Sequence, residues 1–225
     1  MFPFEIVPAG DTAILVQYPE RIDPELNEQC IALANTIGTR LRSAVLDVVV
    51  GYCSVTAYFD PLTVDGRWLE EQVRIAATSD EVVPGRSGVL VEVPVCYGGE
   101  FGPDMGDVAS FGHCSEQDVV RLHSSVVYRV FVVGFVPGFA YLAEVDRRIA
   151  APRRTSPRTV VAPGSVAIAG GQTGIYPSAT PGGWNIIGRT AVKPYDPARK
   201  EPFLLKAGDR VRFRPIEPEE LQAAL

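Results

Sequence analysis

Residues Val130–Thr190 read VFVVGFVPGFAYLAEVDRRIAAPRRTSPRTVVAPGSVAIAGGQTGIYPSATPGGWNIIGRT, and this stretch decides the architecture of the chain. Short runs of β-forming residues alternate here with turns that are rich in glycine, proline and arginine. Such a pattern predicts an all-β barrel or folded sheet with polar side chains on its loops. Because loops held by a rigid scaffold commonly carry functional groups, we expect the binding surface of the protein in this stretch.

The part of the chain before this stretch has a different pattern, in which helical periodicities stand between short strands. The order is β-β-α-β-β-α-β, with Val89–Tyr97 as the last strand, and it is compatible with a ferredoxin-like α+β domain built on a split βαβ unit. Asp23-Pro24 predicts the start of the first helix. Ser79–Gly88 is the expected linker, so we expect one domain over residues 1–85 and a barrel domain over residues 86–225.

Composition narrows the class of partner. The net charge of -6 at pH 7 argues against nucleic acid, because a phosphate backbone demands a basic surface. Met1–Val16 has no basic start and predicts a strand rather than a signal peptide, and no apolar run approaches the length of a membrane span. The four cysteines form no CxxC pair and the chain has two histidines, so we expect no metal site. These features favour a cytoplasmic protein with reduced thiols.

Arginines crowd one segment of the stretch. Five of the chain's 21 basic residues fall between positions 147 and 158, and a guanidinium can hold a carboxylate or a phosphate through two hydrogen bonds. One interpretation is an anion-binding site, and the other is a solvated loop whose arginines pair with acids such as Glu144 and Asp146. Arg153 and Arg154 are the stronger candidates, because a proline restricts the backbone on each side of the pair. The candidates in full are Arg147, Arg148, Arg153, Arg154 and Arg158, with Arg189 as a further one.

Aromatic residues and glycines suggest the walls of a pocket. Phe139 and Tyr141 alternate on a strand and so share a face, where they either line a pocket or belong to the barrel core. For Phe135 the core is the favoured interpretation. Thr180–Trp184 reads TPGGW, in which the glycines allow a close approach of the backbone and Trp184 offers a flat apolar wall.

Two further places could carry polar chemistry. Gln172 and Thr173 sit in a glycine-flanked turn, where backbone N–H groups either hold an amide or an oxyanion or satisfy the turn itself. His123 lies near the end of a helix that Ser115 and Asp118 are expected to cap, and it is either an acid–base catalyst or a structural residue.

Two common catalytic motifs are absent from the sequence. Gly170–Gly174 lacks the lysine of a phosphate-binding P-loop, and Ser165 does not stand in a GxSxG motif. A self-contained ATPase or serine hydrolase is therefore not expected.

Several separated motifs resemble those of one family, called allophanate hydrolase subunit 1. That family includes the B subunit of 5-oxoprolinase and a sporulation kinase inhibitor, and it corresponds to subdomains C and D of the carboxyltransferase part of urea carboxylase. The motifs cover nearly the whole chain: PAGDTAILVQY from Pro8, YGGEFGPDM from Tyr97, GFVPGFAYL from Gly134, APRRTSPRTVVAPGSVAIAGGQTGIYP from Ala151 and TPGGWNIIGRT from Thr180.

The resemblance implies a ferredoxin-like domain followed by a cyclophilin-like β-barrel. It also implies one subunit of an ATP-dependent hydrolase of amides or lactams, which opens 5-oxoproline to glutamate or acts on allophanate. Such a chain works with a larger subunit 2, which is the C subunit of the 5-oxoprolinase, and with a third chain, the A subunit. ATP with Mg²⁺ is then bound jointly with the partner chains. The alternative within the family is a regulatory protein that binds and inhibits a sensor histidine kinase, and the barrel alone would also suit a peptidyl-prolyl isomerase.

The chemistry of an amide assigns roles to these residues. Phosphorylating a lactam oxygen makes that oxygen a leaving group, which requires cations, a polar clamp on the amide and exclusion of water. Replacing Arg154 by alanine is expected to abolish activity without a loss of stability. The catalytic candidates are His123, Arg153, Arg154 and Gln172. The substrate-binding candidates are Phe139, Tyr141, Arg158, Thr173, Tyr176, Gly182, Gly183, Trp184 and Arg189.

Overall fold

A computed structural model describes residues 2–79 and 88–225 of the chain. The chain divides into two compact units, Met1–Ser87 and Gly88–Leu225. Most of the expected linker falls on residues 80–87, which lie outside the described residues. No helix in the two described ranges is both long enough and apolar enough to span a membrane.

The first unit is an antiparallel sheet with two helices. The sheet order is β1-β2-β4-β3. Helix α1 begins as predicted, because the Asp23 side chain accepts hydrogen bonds from the first-turn N–H groups and Pro24 occupies the first helical position. The elements are β1 (Glu5–Pro8), β2 (Ala13–Gln17), α1 (Pro24–Arg40), β3 (Asp47–Val50), β4 (Ser54–Tyr58) and α2 (Gly66–Thr78).

The seventh element of the predicted N-terminal pattern is in the other unit. The strand Leu90–Tyr97 pairs in parallel with Arg210–Pro215 and antiparallel with the strand that ends at Arg189. Both neighbours belong to a barrel, so this strand is not part of the N-terminal pattern in which it was counted; it lies within residues 86–225, the range predicted for the barrel domain. Over the described residues, the edge strands of the N-terminal sheet are Glu5–Pro8 and Asp47–Val50. Its description as ferredoxin-like stays a prediction.

The second unit is a closed seven-stranded barrel with a two-stranded ribbon and three helices. The barrel order is β10-β7-β6-β13-β5-β12-β9, and β9 pairs with β10 to close it. Strands β8 and β11 form the separate ribbon. The strands are β5 (Leu90–Tyr97), β6 (Val127–Val133), β7 (Ala140–Ala143), β8 (Arg158–Val161), β9 (Ser165–Ala169), β10 (Gln172–Ile175), β11 (Thr180–Gly182), β12 (Asn185–Arg189) and β13 (Arg210–Pro215); the helices are α3 (Met105–Phe111), α4 (Glu116–Ser124) and α5 (Pro218–Ala224).

Strand β9 separates the main core of this unit from a second apolar cluster. Its side chains alternate between two faces. Val166 and Ile168 belong to the main core, whereas Ala167 and Ala169 belong to a small cluster built around aromatic residues. Alanine is small, so large rings can lie close to this face of the strand. Strand β9 thus packs against one side of the aromatic cluster, and this cluster contains the candidate site.

Candidate functional site

A cleft of about 280 Å³ lies among the aromatic cluster, the ribbon and the segment before it. Most of its wall comes from positions that the sequence singled out, on strands β7 and β11 and on the loops next to the strands. The lining residues are Phe135, Phe139, Tyr141, Arg153, Pro157, Tyr176, Pro181, Gly182, Gly183 and Trp184.

Phe139 is the centre of the aromatic wall. Its ring meets the rings of Tyr141, Tyr176 and Trp184 edge-to-face, at centroid distances of 4.8, 5.2 and 5.3 Å. Edge-to-face contacts of this kind stabilise a cluster by about 0.5–1.5 kcal/mol each beyond the burial of area. Phe139, Tyr176 and Trp184 are buried and Tyr141 is half-buried, so the wall is rigid and apolar.

A close contact between Gly182 and Tyr176 joins the ribbon to the barrel. A Cβ atom at position 182 would lie 2.8 Å from Tyr176 Cζ and closer still to its hydroxyl, so only glycine fits here. The backbone N–H of Trp184 donates a hydrogen bond to the same hydroxyl. These two interactions fix the position of the Tyr176 ring relative to Gly182 and Trp184.

Phe135 lies at the mouth of the cleft rather than in the core that was predicted for it. It is 65% exposed and its ring packs edge-to-face on Phe139 at 5.9 Å. Its φ angle is +71°, a left-handed conformation that is unusual for a bulky residue. Strained backbone held in place beside a cleft is typical of functional sites.

Arg153 supplies the charge of the cleft. It is the one charged side chain among the described lining residues, and it is exposed. Burial raises the pKa of both Tyr141 and Tyr176, while the nearby Arg153 charge acts in the opposite direction. The two phenols therefore remain neutral at neutral pH, and the cleft combines one cation with uncharged hydroxyl groups and apolar rings.

Arg154 and Arg158 both form ion pairs with a buried carboxylate of the same unit. Asp104 accepts from Arg154 Nη1 at 2.6 Å and from Arg158 Nη1 and Nη2 at 2.8 Å each. The pairing supports an internal role for both arginines, and their binding of an external anion stays a prediction. Because removing Arg154 would leave a buried carboxylate with weaker compensation, we now expect that change to lower stability as well.

Three other candidate residues from the sequence do not line the cleft. Arg148 pairs with Asp146 at 2.8 Å, as the solvated-loop interpretation of the arginine cluster proposed. Gln172 begins β10, about 13 Å along the chain from Tyr176, which directly follows the last residue of that strand. Arg189 ends β12, five residues beyond Trp184, and is not among the lining residues.

His123 and Thr173 lie inside the unit, which corrects both assignments. His123 is fully buried, with Nδ1 2.7 Å from the Tyr97 hydroxyl and Nε2 2.8 Å from Thr173 Oγ1. The Thr173 hydroxyl donates to the Ala167 carbonyl at 3.0 Å, so it accepts from Nε2–H, and Nδ1 accepts from Tyr97. Every polar atom of the imidazole is satisfied within the core. These contacts support a structural role for His123, and neither His123 nor Thr173 is among the lining residues of the cleft.

The stability of the protein should fall at acidic pH because of His123. Burial lowers the pKa of His123 to about 3, below the value of about 6.5 expected in the unfolded chain. The neutral imidazole therefore contributes stability that is complete above pH 6.5 and is lost as the pH falls toward 3. Between pH 7.5 and pH 5 we expect a loss of about 2 kcal/mol in the free energy of unfolding.

Chemical denaturation across this pH window measures the effect. A His123→Gln variant should be less stable at pH 7.5 but show a flatter dependence on pH down to 5. The lowered pKa values of Asp118 and Asp146, about 2 each, act below this window. An unchanged slope in the variant would contradict the assignment.

The residue that sequence reasoning missed is Asp104. It stands in a Gly-Pro-Asp turn within the YGGEFGPDM motif, to which no role in the site was given. Its partners are 50 and 54 positions away, so no local pattern connects them. The one signal in the sequence was an acidic residue in a glycine-rich turn, in a chain that also has a cluster of arginines needing partners.

The fold and the cleft define a class: a two-unit protein whose closed β-barrel carries an aromatic cleft of small-molecule size. The sequence profile described as carboxyltransferase domain, subdomain C and D, matches residues 4–205. The chain belongs to this family.

Named relatives are similar over nearly their whole length. The chain is 49% identical over 214 residues to the B subunit of 5-oxoprolinase from Escherichia coli O157:H7, covering 92% of this chain and 93% of the relative. It is 36% identical over 234 residues to the B subunit of 5-oxoprolinase from Bacillus subtilis strain 168, and the match covers 98% of this chain and 96% of that relative.

Solved structures share the fold. The crystal structure of TTHA0988 is 38% identical with a TM-score of 0.81 over 91% of this chain, and the chain spans 40% of the length of that protein. Urea carboxylase from Kluyveromyces lactis has a TM-score of 0.80 at 22% identity, over 98% of this chain and 22% of that one, a likeness of fold alone.

Proposed function

We propose that this chain is one subunit of an ATP-dependent amide hydrolase and that its cleft binds the amide substrate. The substrate that we favour is 5-oxoproline, a five-membered lactam with one carboxylate, which the assembled enzyme opens to glutamate. Support comes from two relatives named as the B subunit of 5-oxoprolinase, which are 49% and 36% identical to the chain. Allophanate is the alternative substrate within the same reaction class.

The single observation that carries the proposal is the composition of the cleft. Arg153 is the one charged group among its described lining residues, and it stands beside the rings of Phe139 and Trp184. A guanidinium binds a carboxylate through two hydrogen bonds. A small planar ring fits against apolar walls in a volume of about 280 Å³, below the size usual for drug-like ligands. A lactam with a single carboxylate meets both conditions.

This chain contributes positioning and exclusion of water. The Arg153 guanidinium orients the substrate carboxylate, and the rigid aromatic wall keeps water from one face of the ring. The hydroxyls of Tyr141 and Tyr176, whose pKa values are raised by burial, offer hydrogen bonds without adding charge.

The cleft does not fit ATP. A triphosphate needs several cations or backbone N–H groups, whereas one arginine faces the cleft and the next two, Arg154 and Arg158, are paired with Asp104. The described lining also has no acidic residue for Mg²⁺. We therefore assign ATP and Mg²⁺ to partner chains, and we derive no step of this chain from them.

We propose that two partner chains complete the enzyme: a larger one, corresponding to subunit 2 or the C subunit, and a third one, corresponding to the A subunit. The relatives are named as B subunits, which supports the existence of partners, and so does the greater length of TTHA0988. The exposed ring of Phe135 at the mouth of the cleft suits a lid supplied by another polypeptide.

Reconstitution tests the proposal. The purified chain, supplied with 5-oxoproline and ATP, should form no glutamate, and adding the two partner chains should restore ATP-dependent formation of glutamate. Omitting ATP is the control, and allophanate replaces 5-oxoproline in a parallel reaction. Turnover by the chain alone would reject the shared site, and turnover of allophanate but not of 5-oxoproline would reject the favoured substrate.

A further inference from the structure

Asp104 is a buried acid that no part of the proposed chemistry uses directly. Its side chain is 3% exposed, yet it accepts three guanidinium hydrogen bonds, from Arg154 and from both Nη atoms of Arg158. A fourth bond comes from the backbone N–H of Ile186 at 2.7 Å. A carboxylate removed from water is costly unless it is paired in this way, so the arrangement is specific rather than incidental.

The partners of Asp104 lie on the segments that build the cleft. Arg154 follows Arg153, the cation of the cleft, and the Arg154 backbone N–H donates to the Gly183 carbonyl at 2.8 Å. Arg158 follows Pro157, another lining residue. Thus Arg154 and Arg158 flank the short loop that contributes Pro157 to the wall, and Arg153 lies immediately before the first of them.

The other side of the cleft is tied to the same carboxylate. Ile186 exchanges two hydrogen bonds with Asp104, because the Asp104 N–H also donates to the Ile186 carbonyl at 3.0 Å. Ile186 lies two residues beyond Trp184, so Asp104 connects the loop that bears the cation with the strand that directly follows Trp184.

We propose that Asp104 is a positioning residue for substrate binding, which sets Arg153 at the correct distance from Trp184. This inference rests on the proposed function, since it takes a carboxylated lactam as the ligand. Asp104 does not touch the substrate. It acts through Arg154 and Arg158, and its loss should loosen the cleft while the barrel core, which is built from other residues, remains folded.

The experiment compares Asp104→Asn with Asp107→Asn. Asp107 is on the helix that Asp104 precedes, is 73% exposed, and lies 3.6 Å from Arg154 Nη1, so it is a matched control for the loss of one negative charge. Both changes are made in a Trp68→Phe background, in which Trp184 is the one tryptophan left of the two in the chain. The readouts are KM and kcat for 5-oxoproline in the reconstituted complex, and quenching of Trp184 fluorescence by acrylamide.

Asp104→Asn is expected to raise KM by roughly 10- to 100-fold, the usual consequence of misplacing a binding group by about an ångström. The kcat should change much less, and acrylamide should reach Trp184 more readily. Asp107→Asn should change none of these quantities. A folded Asp104→Asn variant with wild-type KM and quenching would overturn the proposal, and so would a fall in kcat alone.

A second variant covers the case in which Asp104→Asn does not fold. Arg158→Lys keeps the positive charge and removes the two-pronged contact with Asp104, so it should raise KM and quenching in the same direction; wild-type values would reject the proposal. If the wild-type complex does not act on 5-oxoproline, the proposed function fails, but the quenching comparison still decides whether Asp104 positions the loop.

Discussion

Replacing Arg153 with glutamine is expected to lower kcat/KM of the reconstituted complex for 5-oxoproline by roughly 100-fold, with no change in thermal stability. The magnitude corresponds to the loss of a charge-assisted pair of hydrogen bonds to the substrate carboxylate. Stability should be unaffected because Arg153 is exposed. Steady-state formation of glutamate in the complex measures the first quantity, and thermal denaturation of the chain measures the second.

Two further variants make this test specific to the position and the shape of the cation. Arg147→Gln removes the same charge from an exposed residue of the same arginine cluster that does not line the cleft, and it should leave kcat/KM unchanged. Arg153→Lys keeps the charge but loses the planar fork, so it should fall between wild type and Arg153→Gln. Equal losses in Arg147→Gln and Arg153→Gln would show that only overall charge matters.

Gly182→Ala should damage both the stability and the cleft of the barrel unit. The added methyl group would overlap the Tyr176 hydroxyl and lie 2.8 Å from its Cζ atom, and Tyr176 is buried and cannot swing away. Forcing a methyl group into a packed site costs about 1–3 kcal/mol. We expect a melting temperature lowered by about 2–4 °C for each kcal/mol, together with a KM for 5-oxoproline raised by roughly 10-fold or more because Tyr176 and Trp184 move apart.

Gly183→Ala is the matched control for that substitution. The neighbouring glycine also lines the cleft, but the nearest atom to a Cβ there is Pro157 Cγ at 3.5 Å, an ordinary van der Waals distance. Its melting temperature should stay close to that of the wild type. Should the two alanine variants melt at the same temperature, the close contact between Gly182 and Tyr176 would not be what holds the ribbon in place.

The arginine cluster shows how one sequence pattern separates into three environments. Arg148 forms a surface pair with Asp146, Arg154 and Arg158 share the buried Asp104, and Arg153 faces the cleft. All have the same side chain and lie within a few positions of each other. Only the last arrangement leaves a guanidinium in a cleft where a ligand can reach it. The number of arginines in the sequence therefore overestimates the number of anion-binding groups in the cleft.

Local signals in the sequence predicted the elements and much of the cleft wall. Asp23 and the pair of Ser115 and Asp118 cap their helices as expected, because capping depends on residues within one turn. The alternation of Phe139 and Tyr141 placed both on one face of a strand, and the structure has both in the cleft. Proline and glycine turns between short strands predicted an all-β barrel or folded sheet for the same reason: their conformational preferences are local.

The character of each segment can therefore be read from the amino-acid sequence: which residues turn, which alternate, and which carry charge. Only the folded structure shows that Leu90–Tyr97 pairs with two distant strands of the barrel. The same holds for the enclosure of His123 by Tyr97 and Thr173, and for the pairing of Asp104 with two of the arginines. The physical reason is that strand pairing, burial and ion pairing depend on distances in space between residues tens of positions apart in the chain. A side chain's chemistry is set by its type, but whether it remains available to a ligand is set by what folds against it.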